Sequence, residues 1–193
     1  MRAPGLSCEG KGSGMSVEKL KLKSNHTWKS KPGYSICVLD RGLVRFDYPR
    51  KWVVEMGEGA VFLHDTEPSL ESCDLGVSLF HLPPSVTADM PLEQMLLSAI
   101  ADDERESYEQ SEIHRVQRGD MDIAWLQQKY LEGTQNRDAR FRVALVRGAV
   151  VVLITMNYWS SRAAGLERVW DEVLRTLQLG MQIADPTAGP VVN

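Results

Sequence analysis

The run Ala149-Val-Val-Val-Leu-Ile-Thr-Met156 limits what this chain can fold into more than any other stretch. It is rich in β-branched residues and uninterrupted by charge, the composition of a central strand covered on both faces. It is also far shorter than the roughly 18 apolar residues that a membrane-spanning helix needs. A fold built around it must therefore place a sheet in the middle and a layer on either side.

Periodicity supplies both layers. Leu166, Val169, Trp170, Val173, Leu174 and Leu177 form a single apolar stripe at helical spacing, with Ser160 or Ser161 able to cap its start and Gly180 suited to a left-handed terminus. Leu92, Met95, Leu96, Ala99 and Ile100 repeat the pattern after an Asp89 cap and Pro91. Strands are expected at 34–39, 43–48, 60–64 and 74–82 in the first half. In the second half they are expected at 108–117 as a polar edge, at 121–131, around Phe141, Val143 and Leu145, and at 149–156. Two antiparallel runs, each followed by a helix, predict the α+β class: a three-layer α/β/α sandwich with a central, mainly antiparallel sheet and a C-terminal helix.

Within the first run, Val44, Phe46 and Tyr48 alternate with Arg45 and Asp47, so the former are expected in a core and the latter in water. Pro49 ends this ladder and leads to Trp52. The Phe46-Asp-Tyr-Pro-Arg-Lys-Trp52 turn, the 149–156 strand and the 166–177 helix together resemble the PsbP-like α/β/α sandwich superfamily over residues 34–179. That superfamily includes a photosystem II accessory subunit, a Ran-binding nuclear import factor and chaperone-like components of bacterial secretion systems. The resemblance implies non-catalytic protein binding with a partner that differs between members, and it transfers no partner-specific residue to this chain.

Charge divides the chain. Residues 1–31 carry seven Lys or Arg against Glu9 and Glu18, about +5, which leaves about −9 for the rest. Residues 1–26 are read as a flexible basic tail, 27–180 as one domain, and 181–193, with Pro186, Gly189 and Pro190, as a disordered tail. Met15 is a candidate natural start. The acidic body argues against nucleic-acid binding, which needs a basic face for phosphates. The first residues show no apolar signal region, the expected location is cytoplasmic, and no membrane association is expected. Three widely spaced cysteines, Cys8, Cys37 and Cys73, form neither a disulfide framework nor a metal knuckle.

Few residues suggest chemistry. Gly5-Leu-Ser-Cys-Glu-Gly-Lys11 imitates a phosphate-binding loop but continues with Gly12 where a magnesium-binding hydroxyl belongs, and lacks the flanking strand and helix. His64 and His81 would converge if their strands paired, with Asp65 or Glu67 nearby, giving a general acid/base pair or a weak metal site, against the ordinary reading of each as a strand-end surface histidine. No nucleophile with a motif accompanies them, and no cofactor or metal is expected. Asp102, Asp103, Glu104, Glu106, Glu109 and Glu112 form an acidic ridge read as solvated surface, and Asn25-His-Thr27 is a formal glycosylation sequon. Tyr158, Trp159 and Arg162 lie together before the last helix and combine the residue types favoured at interfaces, although burial as a core lid is the commoner fate of such rings in a small domain. The leading expectation is a non-enzymatic accessory or adaptor domain that binds a protein partner, or itself as a homodimer, through a sheet face or the Tyr158–Trp159 edge. The alternative is a small-molecule or lipid pocket protein, with weak hydrolase activity at His64 or His81.

Overall fold

The computed structural model describes residues 20–69, 72–101, 103, 105–181 and 183–190. The Gly5–Lys11 stretch, Cys8, Met15, Asp102 and Glu104 lie outside the described residues. The fold is an α+β sandwich around an antiparallel eight-stranded sheet.

The chain enters a hairpin of β1 (Tyr34–Leu39) and β2 (Val44–Pro49), in which Tyr34 faces Pro49 and Leu39 faces Val44. The reversal between them uses left-handed backbone at Asp40, Arg41 and Gly42 in succession. Gly42, at φ +101°, sits against the Met181 carbonyl and Ile183, where a β-carbon would have no room. After the Pro49 turn, closed by Trp52 N–H donating to the Pro49 carbonyl at 3.0 Å, come β3 (Val53–Met56), β4 (Ala60–His64) and β5 (Asp74–Phe80). These form an antiparallel meander. A short helix α1 (Pro84–Ala88) ends at Asp89, and α2 (Leu92–Ala101) follows. Asp89 thus closes α1 instead of capping α2, and Met95 is 40% exposed while Leu96 and Ile100 are buried.

The expected polar edge strand breaks in two, β6 (Ser107–Gln110) and β7 (His114–Arg118). Both pair with the same side of β8 (Met121–Glu132), Gln110 facing Gln128 and His114 facing Trp125, so one extra residue bulges between them. Such irregularity discourages edge-to-edge pairing. Two long strands, β9 (Arg137–Arg147) and β10 (Val151–Trp159), complete a second meander, and β10 zips it to the first by pairing with β5. The strand order is β3-β4-β5-β10-β9-β8, with β6 and β7 side by side along the outer edge of β8.

Helix α3 (Ala163–Thr176) then leads into β11 (Gln178–Leu179), which pairs with Arg45 and Val44 of β2. The expected single sheet is therefore two, since β1, β2 and β11 form a separate three-stranded sheet. Together with α3 this small sheet covers one face of the large sheet, and α2 covers part of the other over β8 and β9. Alternation along β10 serves both layers: Val152, Ile154, Met156 and Tyr158 enter the core under α3, and Val151 and Trp159 enter the core under α2. Trp170, Val173 and Leu177 fill the first of these, each fully or almost fully buried.

Arg45 and Asp47, expected in water, are 7% and 2% exposed. β2 is the middle strand of its sheet, and its second face is closed by the end of α3 and by residues 29–31: Arg45 donates to the Thr176 and Lys29 carbonyls at 3.0 Å each. Residues 183–190, expected as a disordered tail, run back along the 20–28 segment. Lys23 and Thr27 N–H donate to the Thr187 and Ala188 carbonyls, the Trp28 indole N–H donates to Pro186 at 2.7 Å, and Ile183 is buried.

Candidate binding groove

The residues singled out for chemistry do not assemble. His64 faces Asp74 across the β4–β5 pair, whereas His81 follows the far end of β5, so the register holds them roughly 20 Å apart at about 3.3 Å per residue. His64 is nearly buried, with Nε2 3.5 Å from Glu55 Oε2 and its ring stacked on Phe62. His81 is exposed, with Nε2 3.0 Å from Asp40 Oδ2. Cys73 is buried, and burial together with the Asp65 and Asp74 charges pushes its thiol far above the ordinary range. Among the described residues no group of three His, Cys, Asp or Glu side chains is placed to hold a metal ion.

Tyr158 and Trp159 point to opposite faces of β10, as neighbours on a strand must. Tyr158 is 3% exposed with its hydroxyl 3.3 Å from Gln127 Oε1, and burial pushes the phenol up to about 12. Trp159 is 9% exposed beneath the Arg137 guanidinium, which lies 4.0 Å from the ring centroid. Arg162 pairs with Asp65, whose Oδ1 accepts from Cys73 N–H, and so ties the start of α3 to the β4–β5 connection. The two rings are core, not a shared exposed patch, and Arg162 acts as a tether.

A deep concavity lies elsewhere. A groove of about 670 Å³ runs along β1 where the two sheets fail to close on each other. Among the described residues β1 is paired only with β2, and β3 only with β4, so each presents an unpaired strand edge to this region. The groove is lined by every residue of β1, and Tyr48, Trp52, Val54 and Met56 form its apolar wall. Cys37 and Val61 at its base belong to the main core. Burial pushes the Cys37 thiol up to about 12, so it is protonated at neutral pH and packs as a small apolar group. Leu20, Leu22, Trp28 and Pro186 overhang the other side, with Leu20 and Leu22 38% and 40% exposed. The lining is apolar and half-open, with hydrogen-bonding backbone along its length. It can hold an extended apolar ligand, and it presents no set of groups for acid/base or nucleophilic chemistry.

Sequence reasoning missed the groove as a site, although a signal was present. β1 is apolar at both parities, Ile36 and Val38 on one face and Cys37 and Leu39 on the other. An edge strand apolar on both faces needs covering from more than one direction.

Comparison with known proteins agrees with this architecture. The chain is 37% identical over 174 residues to the uncharacterized protein alr1449 of Nostoc sp. (strain PCC 7120), covering 89% of this chain and 91% of that protein. The solution structure of cyanobacterial PsbP (CyanoP) from Synechocystis sp. PCC 6803 is similar at a TM-score of 0.55 and 14% identity, covering 78% of this chain and 95% of that one. The Saccharomyces cerevisiae Ran-binding protein Mog1p is similar at a TM-score of 0.50 and 13% identity, covering 76% and 95%. At these identities the likeness is one of fold, and it is the PsbP-like fold expected from the Phe46–Trp52 turn and the two anchoring elements. The sequence profile of the family described as Alr1449 matches residues 35–183, from the first strand to the segment that packs on Gly42, and the chain belongs to the Alr1449 family.

Proposed function

We propose that the chain is a non-catalytic binding module that takes an extended apolar segment of a partner protein into the groove along β1. The observation that carries this reading is the coincidence of an apolar wall with an unpaired strand edge. An incoming strand would hydrogen-bond to the β1 backbone, whose N–H and C=O groups otherwise face solvent, while alternate side chains settle against Trp52, Val54 and Met56. The Ran-binding description of Mog1p supports protein recognition as a use of this fold. The free, buried Cys37 and Cys73 suit a reducing, cytoplasmic setting.

The Tyr158, Trp159 and Arg162 surface would serve a partner only after the end of β10 opened, because both rings are already packed. The groove is available without that rearrangement. A second copy of the chain, donating its own β1 edge, is the homodimeric form of the same reading, and sedimentation of the free protein separates the two.

A small apolar ligand is the second reading, favoured by a volume within the roughly 300–1,000 Å³ range of small-molecule pockets. Selection of displayed peptides against the folded chain, followed by amide spectra of the labelled protein, tests both. Binding peptides are expected to protect the Tyr34–Leu39 amides, and Trp52→Ala should weaken them at least tenfold, the loss of a buried aromatic anchor. Peptides that bind without protecting β1, or that are indifferent to Trp52→Ala, would refute the strand-addition reading. Protection by fatty acids but by no peptide would transfer the groove to the small-ligand reading.

A further inference from the structure

A second cavity, of about 590 Å³, lies on the other side of residues 28–31 from the groove. Five cationic side chains line it: Lys29 and Lys31 from the segment before β1, Arg45 from β2, Arg118 from the end of β7, and Arg175 from α3. Asp47 is the one carboxylate in the lining. Glu172, just behind, is held by Arg175 at 2.8 and 3.0 Å and by Lys31 at 3.0 Å. Five positive charges against these two carboxylates leave a local excess of three in a chain whose net charge is −4.

Part of this gathering has a structural cause. Arg118 donates to the Leu174 and Arg175 carbonyls at 3.0 and 2.6 Å, and also to Leu177, while Arg45 donates to Thr176, so these two guanidiniums close the C-terminal turn of α3. Capping explains where they sit but not the open space left among the cations. Nor does it explain Lys29, which among the described residues has no carboxylate partner. Burial is the main cause that pulls the proton affinity of Arg45 and Arg118 below its ordinary range; the nearby Arg175 charge adds to it at both, and Asp47, 2.6 Å from Arg45, offsets part of it there.

We infer that this cleft is a binding site for a small oxyanion carrying two or more negative charges, of the phosphate-ester or pyrophosphate class. Cations from four separate segments converge on one volume, and their summed charge favours such a group there. The volume holds a small solute. The chain beyond residue 31 carries about −9, which disfavours tracking a polyanion such as nucleic acid. Ser30 is the one residue that the lining of the cleft shares with that of the groove.

Titration of the full chain with sodium pyrophosphate, followed by amide spectra and calorimetry at low ionic strength, tests the assignment. Saturable binding is expected with Kd below about 1 mM, and with shifts clustered at Lys29–Lys31, Arg118–Gly119 and Arg175–Gln178. Lys29→Gln removes a charge without removing a cap or an ion pair, and should weaken binding about five- to tenfold with the melting temperature unchanged. Arg175→Gln should also weaken binding but lower the melting temperature, because Glu172 loses its bidentate partner, and both effects on binding should shrink with added salt. Absence of saturation, shifts outside these segments, equal effects from sodium chloride at matched ionic strength, or indifference to Lys29→Gln would each overturn the site. So would association with anionic lipid vesicles that free pyrophosphate does not compete away.

Discussion

Replacing Gly42 by alanine should destabilise the fold, and the structure divides the cost into two parts. The first is conformational: an L-residue at φ +101° leaves the favoured regions, at about 1–2 kcal/mol. The second is contact. The new β-carbon would meet the Met181 carbonyl, a backbone atom that cannot swing aside, and the Ile183 side chain at 2.6 and 2.7 Å. Relief requires moving Met181 and Ile183, and releasing the buried Ile183 forfeits a further 1.5–3 kcal/mol or so. Gly59→Ala provides the control, because Gly59 has φ +76° but nothing within 4 Å of its β-carbon position, so it bears the conformational part alone. In urea, with a slope of about 2 kcal/mol/M, Gly42→Ala should lower the midpoint by roughly 1.3–2.5 M and Gly59→Ala by roughly 0.5–1 M. Hydrogen exchange should also separate them. The Lys23 and Thr27 amides, bonded to Thr187 and Ala188, should lose protection in Gly42→Ala and keep it in Gly59→Ala. Midpoints within about 0.3 M of each other, a difference well below 1 kcal/mol at that slope, would refute the role given to the Met181 and Ile183 contacts.

Two further outcomes follow from the ionisable groups. Hydrogen bonds from Arg105 hold Asp103 below its ordinary value of 3.8, and those from Arg175 and Lys31 hold Glu172 below 4.5. Both carboxylates bind protons more weakly folded than unfolded, so their stabilisation is complete above about pH 5 and is lost as pH falls through the depressed folded values. Acid titration of the unfolding free energy should show this loss, and Asp103→Asn with Glu172→Gln should flatten it; an unchanged acid limb would contradict the pairing. In a Cys8→Ser background, Cys37 and Cys73 should react with a thiol reagent at pH 8 on the order of a thousandfold more slowly in the folded than in the urea-unfolded chain. Rapid labelling of Cys37 in the native state would mean that the base of the groove opens to solvent.

Strong local periodicity carried over into the structure. The 149–156 run became the strand that feeds both cores, and the stripe from Leu166 to Leu177 became the helix that closes the larger one. The alternation of Leu75, Val77 and Leu79 against Gly76, Ser78 and Phe80 likewise appears in β5, although Leu79 is only partly buried. What was illegible is what distant segments decide. β3 has four residues and β11 two, too short to declare a period, and both exist because a neighbouring edge is there to pair with. Arg45 and Asp47 alternate as a solvated face would, and are buried only because the end of α3 and residues 29–31 arrive from elsewhere in the chain. The Tyr158–Trp159 pair was decidable in advance by parity alone, since adjacent strand residues cannot share one face once β10 runs to Trp159.

Both candidate sites follow from the one topological feature that periodicity did not reveal, the separation of β1, β2 and β11 from the large sheet. Had β1 continued the large sheet beside β3, the two edges would have satisfied each other and the groove would have closed. Instead β2 is drawn to α3 by β11, by Thr176 Oγ1 accepting from Asp47 N–H at 2.8 Å, and by Arg45 on the Thr176 carbonyl. The same attachment that holds the small sheet away from β3, leaving the groove open, gathers Arg45, Arg118 and Arg175 around the end of α3. Residues 28–31 then run between the two cavities, with Trp28 lining the groove, Lys29 and Lys31 lining the cationic cleft, and Ser30 touching both. An extended segment with its side chains divided in this way transmits a shift on one side to the other, because neither set can move without carrying the shared backbone. If both sites bind as assigned, pyrophosphate should therefore alter the affinity of a groove-binding peptide, and the peptide should alter that of pyrophosphate by the same factor.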